Sequence, residues 1–223
     1  MVFDLDGTLI HSAPDIRAAA NAILADEGAA PLSLAETVSF IGSGAPVFVA
    51  RMRAARALPE DDQQRLLRAF LDRYETAHAL TEPYPDVVRT LTALRSDGHR
   101  LGICTNKPER PARHVLDHLG LSALFETVVG GDTLSVRKPD PAPLHAAAEA
   151  LGAGPLLYVG DSETDAETAA AADVRFLLFT EGYRRSAVET IAHAARFDRF
   201  GDLPGLIAGA LDGAALAAPR PPA

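Results

Sequence analysis

The chain has 223 residues, a length that allows one large domain or a core domain carrying a smaller one. Its net charge of −9 argues against nucleic acid as a partner, because phosphate backbones are bound by basic surfaces. No apolar stretch reaches the roughly 18 residues of a membrane span, and no basic segment precedes an apolar one as in a secretory signal. We therefore expect a cytoplasmic protein with no membrane partner.

Short apolar segments alternate with amphipathic ones along most of the chain, and we predict strands and helices for them respectively. The predicted strands are residues 2–5, 100–104, 127–129, 156–159 and 175–179. The predicted helices of this part are residues 84–96, 109–119, 141–151 and 163–172. Alternating strands and helices predict an α/β fold with a mostly parallel sheet that helices cover on both faces.

One interval lacks strand patterns and contains four predicted helices, at residues 15–26, 34–41, 46–56 and 60–78. Leu66, Leu67, Phe70, Leu71 and Tyr74 repeat at helical spacing, which indicates a buried helix face. We predict a helical cap domain at residues 13–81, inserted into a core formed by 1–12 and 82–211. Hinges are expected near 11–14 and 81–85, where prolines do not continue a helix. The Ala- and Pro-rich tail, 212–223, is predicted to be disordered.

Asp4 and Asp6 lie at the end of the first predicted strand, and Gly7 and Thr8 follow them. An extended backbone directs both carboxylates to the same side, and Gly7 permits a sharp turn. An ionised Asp4 can attack phosphorus and form an aspartyl-phosphate. Asp6 can protonate the leaving alkoxide and then deprotonate the hydrolytic water. The alternative is an ordinary turn at a strand end, where Asp and Gly are common.

Three phosphate-binding candidates follow later in the chain. Thr105 and Asn106 end the second predicted strand, where a hydroxyl and backbone N–H groups can donate to a phosphoryl oxygen. Lys138 lies in a loop stiffened by two prolines, and a lysine there can neutralise charge in the transition state. Taken alone, Lys138 is more simply a solvated surface residue.

Asp161 follows the predicted strand 156–159, and Asp165 comes one helical turn later. Mg²⁺ prefers oxygen ligands and keeps several waters, so it needs few protein carboxylates. We predict a Mg²⁺ site formed by Asp4, Asp161 and the backbone carbonyl of Asp6, with Asp165 in support. Capping of the following helix is the alternative for Asp161. All of these stretches lie where strands end, which is where such sheets bind ligands.

These residues together resemble the four motifs of the haloacid dehalogenase superfamily: Asp4-Leu-Asp6-Gly-Thr, Thr105, Lys138 and Gly160-Asp-Ser-x-x-Asp165. The resemblance covers residues 2–211 and implies a Rossmann-like core, Mg²⁺ and an aspartyl-phosphate intermediate. It also implies that Asp4 is the nucleophile, Asp6 the general acid/base and Asp161 a metal ligand. The insertion after the first motif is similar to the helical cap of this superfamily.

Within the superfamily, the second acidic residue of the first motif favours a phosphatase or a phosphomutase over a dehalogenase. Phosphonate-cleaving relatives use a cap lysine, and residues 13–80 contain none. Residues 12–16, 39–49 and 179–183 are similar to segments of phosphoglycolate phosphatases. The resemblance therefore implies Mg²⁺-dependent hydrolysis of 2-phosphoglycolate to glycolate and phosphate.

Ser43 and Arg51 are our candidates for recognising the carboxylate of such a substrate. Ser43 lies in a glycine-flanked loop whose backbone N–H groups can bind an anion, and Arg51 is the cap cation that follows this loop. The open alternatives are a phosphomutase, a phosphatase for a sugar phosphate or pyrophosphate, and a regulatory module without catalysis. The sequence does not decide between a monomer and a homodimer.

Overall fold

The computed structural model describes residues 1–211, apart from the side chains of residues 208, 210 and 211; the predicted tail lies outside them. Its strands and helices are β1 (Val2–Phe3), β2 (Ile10–His11), α1 (Ala13–Asp26), α2 (Leu34–Phe40), α3 (Ala45–Ala55), α4 (Gln63–Tyr74), β3 (Glu82–Pro83), α5 (Val87–Ser96), β4 (Gly102–Cys104), α6 (Glu109–His118), β5 (Thr127–Val129), α7 (Ala142–Leu151), β6 (Leu157–Gly160), α8 (Glu163–Ala171), β7 (Arg175–Phe179), β8 (Ala195–Phe197) and α9 (Leu203–Leu211). The predicted α/β fold class is confirmed. No helix within residues 1–211 is long and apolar enough to cross a membrane.

Six parallel strands form the main sheet, in the order β5-β4-β1-β6-β7-β8. Phe3 of the central strand β1 is in register with Ile103 on one side and Val159 on the other. The chain therefore leaves β1, β4 and β6 at the same edge of the sheet. The order also reverses beside β1, which creates the crevice in which open α/β sheets bind ligands.

Helices cover both faces of this sheet, as parallel sheets require. On one face, Phe3, Ile103 and Leu177 pack against α5, α6 and α9. On the other face, Tyr158 and Leu178 pack against α7 and α8. Successive strand residues point to opposite faces, so each short apolar strand contributes to both clusters.

Helices α1 to α4 form the helical insertion (residues 13–81), which has an apolar cluster of its own. Leu66, Phe70 and Tyr74 are buried, as their spacing predicts, whereas Leu67 and Leu71 are half-buried at the side of this cluster. The predicted helix 60–78 is too long, because α4 spans only Gln63–Tyr74 and a 3₁₀ turn at Glu60–Asp62 precedes it. A second correction concerns α5, which begins at Val87 and not at residue 84, since Asp86 has a left-handed backbone (φ 64°).

The two linkers to the helical insertion pair with each other. Strands β2 and β3 are antiparallel, with Ile10 opposite Pro83. Asp15 joins the start of α1 to the return linker, because its Oδ2 accepts hydrogen bonds from Leu80 N (2.9 Å) and Thr81 Oγ1 (2.6 Å). The sequence predicts these segments as hinges without predicting their pairing, since two-residue strands show no periodicity.

Candidate active site

The predicted motif residues meet at the carboxyl edge of the main sheet. Asp4 follows β1, Thr105 follows β4 and Asp161 follows β6. The backbone continues the sheet pairing here, with Asp4 N donating to Val159 O at 2.9 Å and Thr105 N to Val129 O at 3.0 Å. The sheet itself thus sets the spacing of these three side chains.

Three buried carboxylates, those of Asp4, Asp161 and Asp165, each offer an oxygen within 4.8 Å of the others. Burial raises the pKa of Asp4 to about 6, although the positive charge of Lys138 partly opposes this increase. Burial also raises the pKa of Asp161, and the neighbouring charges of Asp165 and Asp4 add to this effect. Such a cluster repels itself, and a divalent cation with oxygen ligands relieves that repulsion.

Each oxygen of Asp165 accepts hydrogen bonds from at least two protein donors, whereas each oxygen of Asp161 accepts from one. Its Oδ1 accepts from Lys138 Nζ (2.7 Å) and Tyr158 Oη (2.8 Å). Its Oδ2 accepts from the backbone N–H groups of Asp161 (3.2 Å) and Ser162 (3.0 Å). Burial tends to raise its pKa, but the Lys138 charge and these hydrogen bonds outweigh burial and lower it. Asp165 therefore orients the loop that carries Asp161, and oxygens of Asp4 and Asp161 remain for a cation.

The turn after β1 holds Asp161 in place. Thr8 Oγ1 donates to Asp161 Oδ1 at 2.6 Å, and Tyr183 N donates to Oδ2 at 2.5 Å. Gly7 lies between these contacts with φ +88°, and a Cβ at this position would be only 2.5 Å from Asp161 Oδ2. Glycine is required here by both the backbone conformation and the close approach.

Lys138 is buried, so the alternative of a solvated surface lysine is wrong. Its Nζ lies 3.0 Å from Asp4 Oδ1 and 2.7 Å from Asp165 Oδ1. Burial alone lowers the pKa of Lys138, but the charges of Asp165 and Asp4 outweigh it and raise that pKa above its usual value. A permanent ammonium group therefore stands beside Asp4. Within residues 1–211, no donor makes a hydrogen bond of good geometry to Asp4 Oδ1, although this oxygen forms the ion pair with Lys138.

Thr105 and Asn106 are both buried beside Asp4, but their contacts differ. Thr105 Oγ1 accepts from Lys107 N at 3.2 Å, so its own O–H remains free to donate. Asn106 Nδ2 donates to Gly42 O and to Lys138 O, each at 3.0 Å. Asn106 thus connects the helical insertion to the loop of Lys138. Its side-chain amide hydrogens are occupied by these two contacts, and its role in substrate binding stays a prediction.

A cavity of about 50 Å³ lies between the sheet edge and the helical insertion. The sheet side of the cavity is mostly polar, and it is lined by Asp4, Asp6, Thr105, Asn106, Lys107 and Pro108. The side of the helical insertion is mostly apolar, and it is lined by Ile16, Ile41, Gly42, Gly44, Ala45, Phe48, Phe70 and Tyr74. Arg51 does not line it, because its Nη1 donates to Phe40 O at 3.1 Å and supports the loop from behind. Ser43 lies in that loop and is half-buried. Their roles in specificity stay predictions.

The sequence analysis missed two site residues, Lys107 and Tyr74. Lys107 is buried with its Nζ 3.3 Å from Asp6 Oδ1, and it also donates to Tyr74 Oη. Tyr74 reaches the site from α4 and donates to Asp6 Oδ2 at 3.3 Å. One signal was available, since the chain has only two lysines among its 21 Lys and Arg residues. Lys138 is itself a motif residue, and Lys107 follows the motif residue Thr105 by two positions.

Comparisons with known proteins agree with this geometry. The family model of haloacid dehalogenase-like hydrolases matches residues 1–173. The chain belongs to this hydrolase family. The resemblance inferred from the four motifs is confirmed.

Several relatives within the family share one named activity. The chain is 51% identical to a phosphoglycolate phosphatase of Cereibacter sphaeroides over 93% of this chain and 96% of that protein. It is 45% identical to a phosphoglycolate phosphatase of Rhodospirillum rubrum, covering 91% and 88% of the two chains. A crystal structure of a predicted phosphoglycolate phosphatase of Haemophilus somnus superposes with a TM-score of 0.87 at 31% identity, covering 92% and 96%. The protein is a phosphoric monoester hydrolase that resembles phosphoglycolate phosphatases.

Proposed function

We propose that this hydrolase converts 2-phosphoglycolate to glycolate and phosphate through an aspartyl-phosphate on Asp4, with Mg²⁺ as cofactor. The observation that carries this proposal is the buried carboxylate of Asp4, 3.0 Å from the Lys138 ammonium and beside Asp161. The relatives that are named phosphoglycolate phosphatases and cover nearly the whole chain support the choice of substrate. We propose the cytoplasm as its location, as its composition predicts.

Asp4 forms a bond to phosphorus while the bond to the glycolate oxygen breaks, and Asp6 gives its proton to that oxygen. Asp6 then takes a proton from water as the water oxygen attacks phosphorus, which releases phosphate and restores Asp4. The Lys138 ammonium and the Thr105 hydroxyl hold the phosphoryl oxygens throughout. Asp4 and Asp161, with the Asp6 carbonyl, would hold Mg²⁺, which neutralises phosphoryl charge when bound.

We further propose that the helical insertion acts as the cap, with the predicted boundaries at residues 13–81. It closes one side of the cavity with apolar side chains and contacts the sheet edge through the Gly42–Asn106 hydrogen bond. Closure of this kind excludes water from the reacting groups. The paired linkers fastened by Asp15 would guide the movement.

Phosphate release from a panel of phosphorylated metabolites, measured with Mg²⁺ and with EDTA, tests the proposal. We expect 2-phosphoglycolate to give the highest kcat/KM and EDTA to abolish turnover. A sugar phosphate or pyrophosphate that is hydrolysed faster would keep the catalytic site and refute the substrate. Transfer of the phosphoryl group to a second substrate position would favour the phosphomutase alternative. A folded, Mg²⁺-supplied protein that releases no phosphate would favour the regulatory alternative.

A further inference from the structure

Both lysines of the chain are buried in the site, and each faces a different carboxylate. Lys138 contacts Asp4 and Asp165 and belongs to the phosphoryl side of the site. Lys107 faces Asp6 instead, with Nζ at 3.3 Å from Oδ1 and 3.4 Å from Oδ2. The mechanism above gives Lys107 no task, although a buried ammonium is costly unless it is used or paired.

Lys107 also contacts the helical insertion through Tyr74. Its Nζ donates to Tyr74 Oη and lies 4.0 Å from the centre of the Tyr74 ring. Tyr74 itself stacks on Phe70 with ring centroids 5.0 Å apart, so the position of its hydroxyl is set by the insertion's apolar cluster. Both oxygens of Asp6 are thereby engaged by donors that line the cavity.

The contacts to Asp6 are longer than a normal charge-assisted hydrogen bond. Lys107 Nζ and Tyr74 Oη each lie 3.3 Å from their Asp6 oxygens, whereas ammonium–carboxylate bonds usually measure about 2.7–2.9 Å. A substrate anion that reaches Lys107 at the usual distance therefore competes well with Asp6. The cavity of about 50 Å³ has room for only a few water-sized groups, so this anion must be compact.

We propose that Lys107 and Tyr74 form the subsite for the substrate carboxylate, and that this carboxylate displaces Asp6 from them. Asp6 is then free to turn to the leaving-group oxygen. Esters without a carboxylate leave Asp6 engaged by Lys107, so the enzyme selects its substrate mainly through kcat and only partly through KM. This inference rests on the proposed function and adds to it a residue-level basis for selectivity. Asp6 remains the catalytic residue, and Lys107 and Tyr74 act as specificity and positioning residues.

Two esters that differ only in this group provide the test. Ethyl phosphate carries a methyl group where 2-phosphoglycolate carries its carboxylate. Lys107→Met keeps the length of the side chain and removes the charge, and Tyr74→Phe removes only a hydroxyl. Tyr84→Phe is the matched control, because Tyr84 packs on Phe179 and does not line the cavity.

For 2-phosphoglycolate, we expect Lys107→Met to lower kcat/KM at least about 30-fold and Tyr74→Phe to lower it about fivefold, because the substrate carboxylate loses its donors. For ethyl phosphate, Lys107→Met should raise kcat at least about threefold, because Asp6 is no longer held by the ammonium group, and Tyr74→Phe should not lower it. Tyr84→Phe should stay within about threefold of the wild-type kcat for both esters. Equal losses on the two esters would overturn the inference, as would an unchanged kcat of Lys107→Met for ethyl phosphate. A wild-type enzyme that does not prefer 2-phosphoglycolate over ethyl phosphate would refute the proposed function as well, so the two failures are distinguishable.

Lysine-selective isotope labelling provides a readout that does not depend on turnover, since the protein has only two lysines to observe by NMR. In an Asp4→Asn background, 2-phosphoglycolate should shift the signals of both Lys107 and Lys138. Ethyl phosphate should shift Lys138 alone. A Lys107 signal that responds equally to both esters, or to neither, would overturn the subsite.

Discussion

Replacing Asp4 by Asn removes the proposed nucleophile and one buried negative charge, and the two losses have opposite consequences for activity and stability. Turnover should vanish, because an amide oxygen does not form the aspartyl-phosphate. The metal-free protein should become more stable, because Asn has no charge to bury beside Asp161 and Asp165.

The expected stabilisation follows from the pKa of Asp4. Burial raises it from 3.8 to about 6, so the native protein binds this proton more tightly than the unfolded chain does. The free energy of unfolding therefore decreases as the pH rises from about 4 to 6, and it stays lower above pH 6. At 1.36 kcal/mol for each pH unit, ionised Asp4 costs the metal-free native state at most about 3 kcal/mol at pH 7.5. The asparagine in Asp4→Asn should keep only an imperfect contact with Lys138, so we expect this variant to raise the free energy of unfolding by about 1–3 kcal/mol.

Thermal unfolding at pH 7.5 in EDTA measures the effect. A gain of 1–3 kcal/mol corresponds to an increase in Tm of about 2–12 °C for a chain of this size. Mg²⁺ should raise the Tm of the wild type and raise that of Asp4→Asn much less, because the variant loses a charged ligand. Asp26→Asn, at an exposed ion pair with Arg73, is the control and should shift Tm by no more than about 1 °C. Substantial surviving phosphatase activity, or a Tm in EDTA below that of the wild type, would refute this reasoning.

Three further predictions concern the cation, the turn after β1 and the linkers. Mg²⁺ affinity measured by calorimetry should fall at least about tenfold from pH 7.5 to pH 5. The Asp4 carboxyl, with a pKa of about 6, must lose its proton to bind the ion. Equal affinities at the two pH values would contradict the assigned site. Gly7→Ala should abolish Mg²⁺-dependent activity, because its Cβ would lie 2.5 Å from Asp161 Oδ2. Gly28→Ala is the control, since Gly28 also has a positive φ (+65°) but no described atom within 4 Å of the added Cβ. This variant should lose about 1 kcal/mol of stability and no activity. Asp15→Asn should lower the free energy of unfolding in urea by about 1–3 kcal/mol, because it weakens the hydrogen bonds of α1 to Leu80 N and to the buried Thr81 Oγ1. An unchanged value would show that the linkers do not depend on Asp15.

The main strands were predictable because each is a short buried run with turn residues at its ends. The bounds of β5 and β7 agree with the prediction. Strands β1 and β4 are two residues shorter than predicted, and β6 is shifted by one residue. Strands β2, β3 and β8 were not predicted, since two or three residues of mixed polarity carry no period. Helix α9 was also missed, because its run of Leu, Ile, Ala and Gly shows no clear polar face.

The sequence by itself determined the fold class and the order of the catalytic motifs. Patterns within a few residues decide strand and helix, and the neighbouring parallel strands β4, β1 and β6 place Thr105, Asp4 and Asp161 at one sheet edge. Only the tertiary structure decided how buried charges pair. Lys107 meets Asp6 across 101 residues, and Tyr74 meets Asp6 across 68. Such contacts depend on how the helical insertion packs against the sheet edge, and no local pattern in the chain encodes that packing.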